Sequence, residues 1–209
     1  MFNRREFLAA SAAATVLGAA PTAAHQLGEA YVLPEEYLPR EVRIRAEFEP
    51  GIVMVDPNQF ALYLTMEDQR AIRYTVGVGR AGLYHAGEFY VGRKAEWPRW
   101  RPTPAMIRRE PTQYTAFQEG GIYEDGSQPG GVNNPLGARA MYLFSVTKRR
   151  DTYLRLHGTN NPLTIGRAVS NGCARLINPH IEALYEQVPV GTKVILFPKS
   201  EAGTAHSDL

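Results

Sequence analysis

One histidine and one cysteine have the side chains and the spacing for covalent acyl chemistry. His157 ends an apolar, strand-like run, and Cys173, the only cysteine among 209 residues, follows sixteen positions later in a Ser-Asn-Gly turn. A turn with so little side-chain bulk leaves the sulfur open to a carbonyl, with main-chain N–H groups free to face a developing oxyanion. A neighbouring imidazole can pair with the thiolate and later hand its proton to a leaving amine. The pair predicts a cysteine nucleophile with a histidine base, provided that the fold brings the strand end and the turn together.

Three short motifs surround this pair in a set order. They are His157-Gly-Thr-Asn, Thr164-Ile-Gly and Ser170-Asn-Gly-Cys-Ala-Arg. Together they closely resemble the signature of the L,D-transpeptidase catalytic domain, the YkuD domain. The resemblance extends upstream to Ile52-Val-Met-Val-Asp, Val76-Gly-Val-Gly-Arg and Asn134-Pro-Leu-Gly-Ala-Arg-Ala-Met-Tyr-Leu. It covers about residues 51–198, which we expect to form the catalytic domain.

The resemblance implies roles for the residues nearest the reaction. Cys173 is expected to be the nucleophile and His157 the general base and acid. The main-chain carbonyl of Gly158 is expected to orient the histidine ring, so the third member of the triad is backbone rather than a carboxylate. The main-chain N–H groups of Gly172 and Cys173 are the candidates for the oxyanion hole, where losing one donor typically costs ~3–4 kcal/mol in the barrier.

The other motif residues are assigned to the turn and to the substrate. Arg175 matches the arginine of the motif and is expected either to hold a substrate carboxylate or to brace the turn. Ser170 is expected to order the turn or His157 rather than to react. Many family members carry histidine where this chain has Asn171. His157 is therefore the only base expected here, and Asn171 can serve only as a hydrogen-bonding substitute.

By resemblance, the substrate is peptidoglycan, with stem peptides as donor and acceptor. The cysteine would attack the carbonyl of the third residue of a tetrapeptide stem and release the terminal D-alanine. The acyl group would then pass to an amine of a neighbouring stem, of an envelope-protein lysine or of a free D-amino acid. The same residues would serve an L,D-carboxypeptidase or amidase if water resolved the acyl-enzyme, and a non-catalytic wall-binding module is a further alternative. A papain-like hydrolase is disfavoured because its cysteine precedes its histidine.

Composition excludes several other classes of protein. A hydrophobic fraction of 44% excludes a mainly disordered chain. A single cysteine excludes a disulfide framework and a zinc site built on several thiolates, and we expect no metal and no cofactor. A net charge of +2 without a basic stripe predicts no nucleic-acid partner. The remaining histidines are expected to be surface or packing residues: His25, His85, His180 and His206.

Residues 1–24 have the pattern of an export signal. Two arginines precede an apolar run of only 14 residues that ends at Ala20, which is shorter than the ~20 residues needed to span a bilayer. The segment Asn3–Leu8 resembles the twin-arginine signal, which directs export after folding. We therefore expect cleavage after Ala24, no stable membrane span, and a mature protein in the periplasm or cell envelope.

The positions of the apolar residues predict a mainly β fold. Short runs of β-forming residues between Gly/Pro turns indicate a sandwich or barrel-like domain with one or two short helices. The strand candidates are Ile52–Val55, Gln59–Thr65, Arg70–Val78, Glu88–Val91, Ala140–Val146, Tyr153–Leu156 and Lys193–Phe197. The helical period of useful length begins at residue 178, where Asn178 can cap a helix and Pro179 suits its first position.

Several segments depart from this pattern of strands. Residues 25–50 are polar and contain three prolines, which predicts an extended arm or linker. Residues 199–209 are expected to be a disordered tail. Residues 97–114 and 120–137 together predict a long connection with little regular structure. Long connections in compact domains are usually functional or disordered, and we expect this one to lie beside the substrate.

Overall fold

The computed structural model describes residues 31–45 and 48–200. The chain divides into Met1–Val32, of which only the last two residues are described, and Leu33–Leu209, which contains every element named below. The predicted export signal, residues 1–24, lies outside the described residues and stays a prediction. Residues 201–209 of the predicted tail also lie outside them.

Eleven strands form in the described part of the chain, and nine of them make one large mixed sheet. The strands are β1 (Arg40–Arg43), β2 (Val53–Asp56), β3 (Ala61–Met66), β4 (Arg70–Thr75), β5 (Val78–Gly79), β6 (Gly87–Glu96), β7 (Arg139–Ser145), β8 (Asp151–His157), β9 (Ala168–Ser170), β10 (Ala174–Arg175) and β11 (Lys193–Leu196). The large sheet has the order β1-β4-β3-β2-β11-β6-β7-β8-β10, and β5 and β9 form a separate parallel pair. The prediction of a mainly β domain with few short helices is confirmed.

The large sheet curls until its two ends approach each other. Strands β4 and β10 stand seven places apart in the sheet order, which in a flat sheet would separate them by roughly 34 Å at ~4.8 Å per strand. Gly77, two residues beyond β4, nevertheless exchanges two main-chain hydrogen bonds with Arg175 in β10, at 2.9 and 2.8 Å. Buried residues such as Tyr74, Val91 and Leu156 consequently share one apolar core inside the curled sheet.

The second helix of the domain, α2 (Asn178–Gln187), places its first residue against two loops. The N-cap of α2 is Ile177, which makes no side-chain cap hydrogen bond. The prediction that Asn178 caps the helix is therefore wrong. The carboxamide oxygen of Asn178 instead accepts from the main-chain N–H groups of Ala138 and Thr159, at 3.1 and 3.2 Å. Those loops lie within its reach because α2 packs against the core with its apolar face.

The polar segment ahead of the predicted domain boundary contributes to the large sheet. Residues 25–50 are predicted to be an extended arm or linker, but Arg40–Arg43 form β1, which pairs antiparallel with β4. Strand β1 lies at the edge of the sheet, and all its residues except Val42 are exposed. An exposed edge strand with charged side chains is polar in sequence, as a linker is. The sheet therefore begins before the predicted boundary at residue 51.

The long connection between β6 and β7 is more regular than predicted. It contains α1 (Pro104–Arg109) and a 3-10 helix over Pro111–Phe117. Thr103 caps α1 by accepting from the N–H of Met106 at 3.2 Å, and a proline follows at the first helical position. This Thr-Pro pair is a helix start signal that the prediction of little regular structure overlooks. We call residues 97–138 the insertion.

Candidate active site

A cleft with a volume of about 1810 Å³ is lined mainly by two parts of the domain. One part, which we call the catalytic wall, consists of β8, the turn over residues 170–173 and β10. The other part is the insertion, which contributes Trp100, Arg109 and Tyr114 among others. His157 and Cys173 both line this cleft, so the fold brings the predicted base and nucleophile to one site.

Parallel pairing of β8 with β10 places the cysteine beside the strand that ends at the histidine. Arg175 lies opposite His157 in this ladder, and Leu176 N–H donates to the His157 carbonyl at 2.9 Å. Cys173 directly precedes β10. Its main chain therefore lies one strand spacing, ~4.8 Å, from the strand that ends at the histidine.

His157 is buried, and the next residue fixes the orientation of its ring. Nδ1 of His157 lies 2.6 Å from the carbonyl oxygen of Gly158. Nδ1 therefore carries the proton and donates it to this bond, and Nε2 is left as the basic nitrogen. Burial lowers the pKa of His157 to about 3, the charge of Arg175 adds to this effect, and the Gly158 hydrogen bond opposes it. The imidazole is accordingly neutral at ordinary pH, with Nε2 unprotonated.

The peptide unit that orients His157 is itself held by Asn178. The carbonyl of Gly158 and the N–H of Thr159 belong to one peptide plane, and Asn178 Oδ1 accepts from that N–H at 3.2 Å. A Cβ atom on Gly158 would lie 2.3 Å from Asn178 Oδ1, so glycine permits this approach. Only the packing of α2 shows this role, because an Asn-Pro pair ahead of a helix predicts a cap instead.

Ser170 organises the turn that carries the cysteine. Its hydroxyl donates to the Cys173 carbonyl at 2.6 Å and accepts from the Gly172 N–H at 3.1 Å. The Gly172 N–H is therefore engaged within the turn, whereas the sequence predicts that it faces the oxyanion. Serine hydroxyls readily close such local bonds to nearby backbone, and the second predicted oxyanion donor is the N–H of Cys173.

Cys173 is half-buried and faces a distorted stretch of β8. Its sulfur lies 3.9 Å from the main-chain carbonyl oxygen of Tyr153. Tyr153 has a φ of 64° and lies where the register between β7 and β8 shifts. Burial raises the pKa of the Cys173 thiol, and the charge and main-chain hydrogen bond of Arg155 lower it. The net shift is upward, so the thiol and the imidazole of the free protein are both neutral.

The main chain of Arg175 is paired with Gly77, while part of its side chain is buried without a partner among the described residues. The two main-chain hydrogen bonds with Gly77 fix its position in β10. Its guanidinium Nε is buried without a hydrogen-bond partner among the described residues. Burial lowers the pKa of Arg175, while the neighbouring Cys173 and Tyr114 raise it. The side chain therefore keeps hydrogen-bonding capacity beside the sulfur.

Asn171 connects the catalytic turn to the insertion. Its side-chain oxygen accepts from Arg109 Nη2 at 2.6 Å, and its side-chain nitrogen donates to the Tyr114 hydroxyl at 3.4 Å. The hydrogen bonding predicted for Asn171 is thus directed at the opposite side of the cleft. Sequence reasoning missed Arg109 and Tyr114 as site residues, and the arginine-rich composition of residues 97–114 was the available signal.

Comparison with known proteins shows the family of the chain that forms this cleft. The family model of the L,D-transpeptidase catalytic domain, YkuD, matches residues 50–196. The chain belongs to the L,D-transpeptidase family. The resemblance found in the His157 and Cys173 motifs is thereby confirmed. The match runs from just before β2 to the end of β11 and includes the insertion.

Curated relatives of this L,D-transpeptidase domain carry the same family name. An Escherichia coli (strain K12) protein named "Probable L,D-transpeptidase ErfK/SrfK" is 32% identical over 174 residues, which are 82% of this chain and 51% of that protein. The Salmonella typhimurium protein of that name is 34% identical over 173 residues, 81% of this chain and 49% of that protein. The chain thus spans about half the length of the curated relatives it matches.

A solved structure shares the fold of this L,D-transpeptidase domain. A crystal structure from Brucella melitensis, described as a "Probable carnitine operon oxidoreductase", aligns with a TM-score of 0.51 and 41% identity. The alignment covers 79% of this chain and 96% of that one. The oxidoreductase description applies to the Brucella melitensis protein and is not transferred to this chain.

The described residues include some of the other predicted features, and the remaining ones lie outside them. Within residues 31–45 and 48–200, no three His, Cys, Asp or Glu side chains are grouped to hold a metal ion. No helix in this part of the chain has the length and apolar character needed to cross a membrane. His180 packs beside the ring of Tyr74, and His85 is an exposed residue at the cleft. His25 and His206 lie outside the described residues.

Proposed function

We propose that the protein is a peptidoglycan L,D-transpeptidase with Cys173 as nucleophile and His157 as base. The observation that carries this proposal is the fixed ring of His157, whose Nδ1 is held 2.6 Å from the Gly158 carbonyl in the cleft that Cys173 also lines. A buried, neutral imidazole in the same cleft as a thiol suits the formation of a thioester. The family membership supports an acyl transfer between peptides.

Acylation begins from the neutral thiol and imidazole. As the sulfur attacks the carbonyl of the third stem residue, the thiol proton passes to Nε2 of His157 and negative charge develops on the carbonyl oxygen. The N–H of Cys173 donates to that oxygen. The tetrahedral intermediate then breaks its C–N bond to the terminal D-alanine, whose nitrogen takes the proton from Nε2. The products are a thioester on Cys173 and free D-alanine.

Transfer reverses these proton movements with a new amine. The acceptor nitrogen attacks the thioester carbonyl and gives a proton to Nε2 of His157. The C–S bond breaks, the sulfur regains the proton, and a new amide remains. The amine belongs to a neighbouring stem in a 3–3 cross-link, to a lysine of an envelope protein, or to a free D-amino acid. We assign to the insertion the exclusion of water, because it lines the cleft opposite the sulfur.

A location in the cell envelope follows from this substrate. We propose that residues 1–24 direct export by the twin-arginine route and that the mature protein acts in the periplasm. N-terminal sequencing of the protein recovered from the periplasmic fraction tests this: we expect a chain that begins at His25, and an uncleaved chain in the cytosolic fraction would contradict it.

The proposed chemistry is tested by the intact mass of the mature chain after mixing with purified tetrapeptide muropeptides. We expect an adduct equal to the stem minus D-alanine on the wild-type protein and none on Cys173→Ala. Absence of the adduct from the wild-type protein would overturn the proposal. Chromatography of the same mixture separates the outcomes of the second step: cross-linked or exchanged products indicate transfer, and tripeptide alone indicates an L,D-carboxypeptidase.

A further inference from the structure

We propose that Arg109, held in place by Asn171, reads a free carboxylate on the donor stem. The enzyme would then prefer stems whose diamino acid carries a side-chain carboxylate over stems in which this group is a carboxamide. This inference rests on the proposed function and adds a substrate preference to it. Arg109 belongs to the insertion, so the preference is a property of the second side of the cleft and not of the reacting pair.

The charges of the cleft favour an anionic ligand. Seven arginines but only four carboxylate residues line it. Three of these arginines already have a carboxylate partner in the protein: Arg80 with Glu110, Arg99 with Asp125, and Arg155 with Asp151. Arg109 and Arg175 have no carboxylate partner among the described residues, and both lie beside the turn that carries the cysteine. The positive charge at this turn is therefore not neutralised by the protein.

Asn171 fixes Arg109 without neutralising it. The guanidinium gives one N–H to the neutral side-chain oxygen of Asn171 at 2.6 Å. Asn171 also donates to the hydroxyl of Tyr114 at 3.4 Å, and Tyr114 is buried. The carboxamide is thus held between the two, two residues before Cys173. A guanidinium has five N–H donors, so Arg109 keeps its charge and most of its donors for a ligand.

Arg175 supplies a second observation that points to an anion at the same place. Its Nε is buried and unpartnered among the described residues, and Arg175 lines the same cleft as Arg109 and Cys173. Buried arginines are rarely left without a partner, because an uncompensated charge in an apolar setting is costly. A bound carboxylate beside the sulfur would supply the missing partner.

The chemistry of the two ligands explains why they should be distinguished. A carboxylate offers two equivalent oxygens and a full charge, and a guanidinium binds it in a bidentate, charge-assisted geometry. A carboxamide offers one acceptor and no charge. Because Arg109 is exposed to solvent, screening keeps the effect moderate. We expect about a tenfold preference for the carboxylate stem, equivalent to ~1.4 kcal/mol.

The test compares two synthetic tetrapeptide stems that differ only in a carboxylate or a carboxamide on the side chain of the third residue. Acylation kcat/KM is measured by intact mass for the wild type, Arg109→Gln and Arg108→Gln. Arg108 is the matched control, since it is the preceding exposed arginine of α1 and does not line the cleft. We expect the tenfold preference in the wild type and Arg108→Gln, and a ratio near one in Arg109→Gln. Equal rates in the wild type, or a preference that survives Arg109→Gln, would overturn the inference.

Asn171 gives a second variant series in which the fold is little changed. Asn171→Asp places a carboxylate on Arg109 and should abolish the preference, because the protein then supplies the anion. Asn171→Gln keeps a neutral acceptor and should retain part of it. An Asn171→Asp protein that still prefers the carboxylate stem would show that Arg109 does not read the charge.

Binding separates this inference from the proposed function. Calorimetric titration of Cys173→Ala with the same two stems measures the preference without any chemistry. If the wild type is acylated by neither stem, the proposed function fails, and the ratio of the two Kd values still decides the inference. If the wild type is acylated by both stems equally well and binds them equally, the function stands and the inference fails.

Discussion

The two sides of the cleft are built by different means. The catalytic wall grows out of the main apolar core, where Leu156, Ala174 and Leu176 are almost completely buried and main-chain ladders set the positions. In the insertion, by contrast, no residue of helix α1 is buried. It is held by a small aromatic cluster around Trp100 and by arginine side chains that bond to carbonyls and carboxylates.

From this difference we expect the catalytic wall to be the more rigid side of the cleft and the insertion to be the more adaptable one. Residues held by the hydrogen bonds of the curled sheet lose their structure only when much of the domain unfolds. A segment with few buried apolar contacts can unfold locally. In the proposed mechanism, His157 and Cys173 need fixed positions for proton transfer and attack. Among the hydrogen bonds of the described residues, Arg109 and Tyr114 reach the turn only through Asn171. We therefore expect this side of the cleft to adjust more easily than the catalytic wall.

The largest effect is expected on the catalytic wall, from removal of the proposed base. His157→Ala should slow acylation by roughly 10²- to 10⁴-fold, the usual effect of a positioned acid–base group. Single-turnover intact-mass kinetics measure the rate, and circular dichroism checks the fold. His85→Ala is the matched control, since His85 is an exposed histidine at the same cleft. Turnover of His157→Ala near the wild-type rate would remove this residue from the mechanism.

Replacing a glycine by alanine should destabilise the protein much more on the catalytic wall than in the insertion. Gly172 has a φ of 125°, and a Cβ there would lie 2.8 Å from the Leu83 carbonyl oxygen. Gly172→Ala should therefore lose at least about 2 kcal/mol of unfolding free energy and most acylation. Gly120 in the insertion has a φ of 76° with no atom within 4 Å of its Cβ position. Gly120→Ala should cost only about 1 kcal/mol.

Urea unfolding and acylation assays on the two alanine variants test this contrast. If Gly172→Ala acylates as fast as Gly120→Ala, the geometry of the catalytic turn is not the one described.

Asn178 tests whether the base depends on the peptide unit behind it. Asn178→Ala removes the acceptor for the Ala138 and Thr159 N–H groups, which should destabilise the domain by ~1–3 kcal/mol. Acylation should also fall about tenfold, because the Gly158 carbonyl is then free to turn away from the His157 ring. Asn178→Asp keeps an acceptor oxygen and should restore most of the rate. Equal rates in both variants would show that Asn178 serves stability only.

The buried histidine also makes stability depend on pH. His157 has an ordinary pKa of 6.5 and a pKa of about 3 in the folded protein, so the unfolded chain binds more protons between these values. Its contribution is fully present above pH 6.5 and is lost as the pH falls towards 3. Between pH 7 and pH 5 the loss should be about 2 kcal/mol. Urea unfolding at both values should show a smaller loss in His157→Gln, and an identical loss would contradict the assignment.

The smallest effect on global stability is expected in the insertion. Trp100 lies 5.0 Å from Phe117 and 6.1 Å from Tyr114 between ring centroids. Trp100→Ala should speed hydrogen exchange in residues 97–138 while changing global unfolding by less than about 1 kcal/mol, because the insertion opens locally. Leu156→Ala on the other side should cost ~2–5 kcal/mol. A similar cost for both variants would mean that the two sides unfold as one unit.

The sequence predicted the long elements better than the short or exposed ones. Strands β3 and β7 are long enough to show their apolar pattern, and both were predicted close to their observed bounds. Strands β9 and β10 have three and two residues, which is too short for a period to be recognised. Helix α1 has six residues and buries none, so only its Thr-Pro start could have revealed it. Strand β1 was hidden by the polar side chains of an exposed edge.

The sequence by itself determined the family and the two residues proposed to react, because a single cysteine in an ordered set of motifs leaves little choice. Tertiary structure alone decided what surrounds them. Asn178 holds the peptide behind His157, the Gly172 N–H is engaged by Ser170, and Arg109 reaches Asn171 across 62 residues of chain. These contacts and the burial that shifts each pKa depend on distances through space. Local sequence patterns record only spacing along the chain. The curling of one sheet is what brings these distant residues together in one cleft.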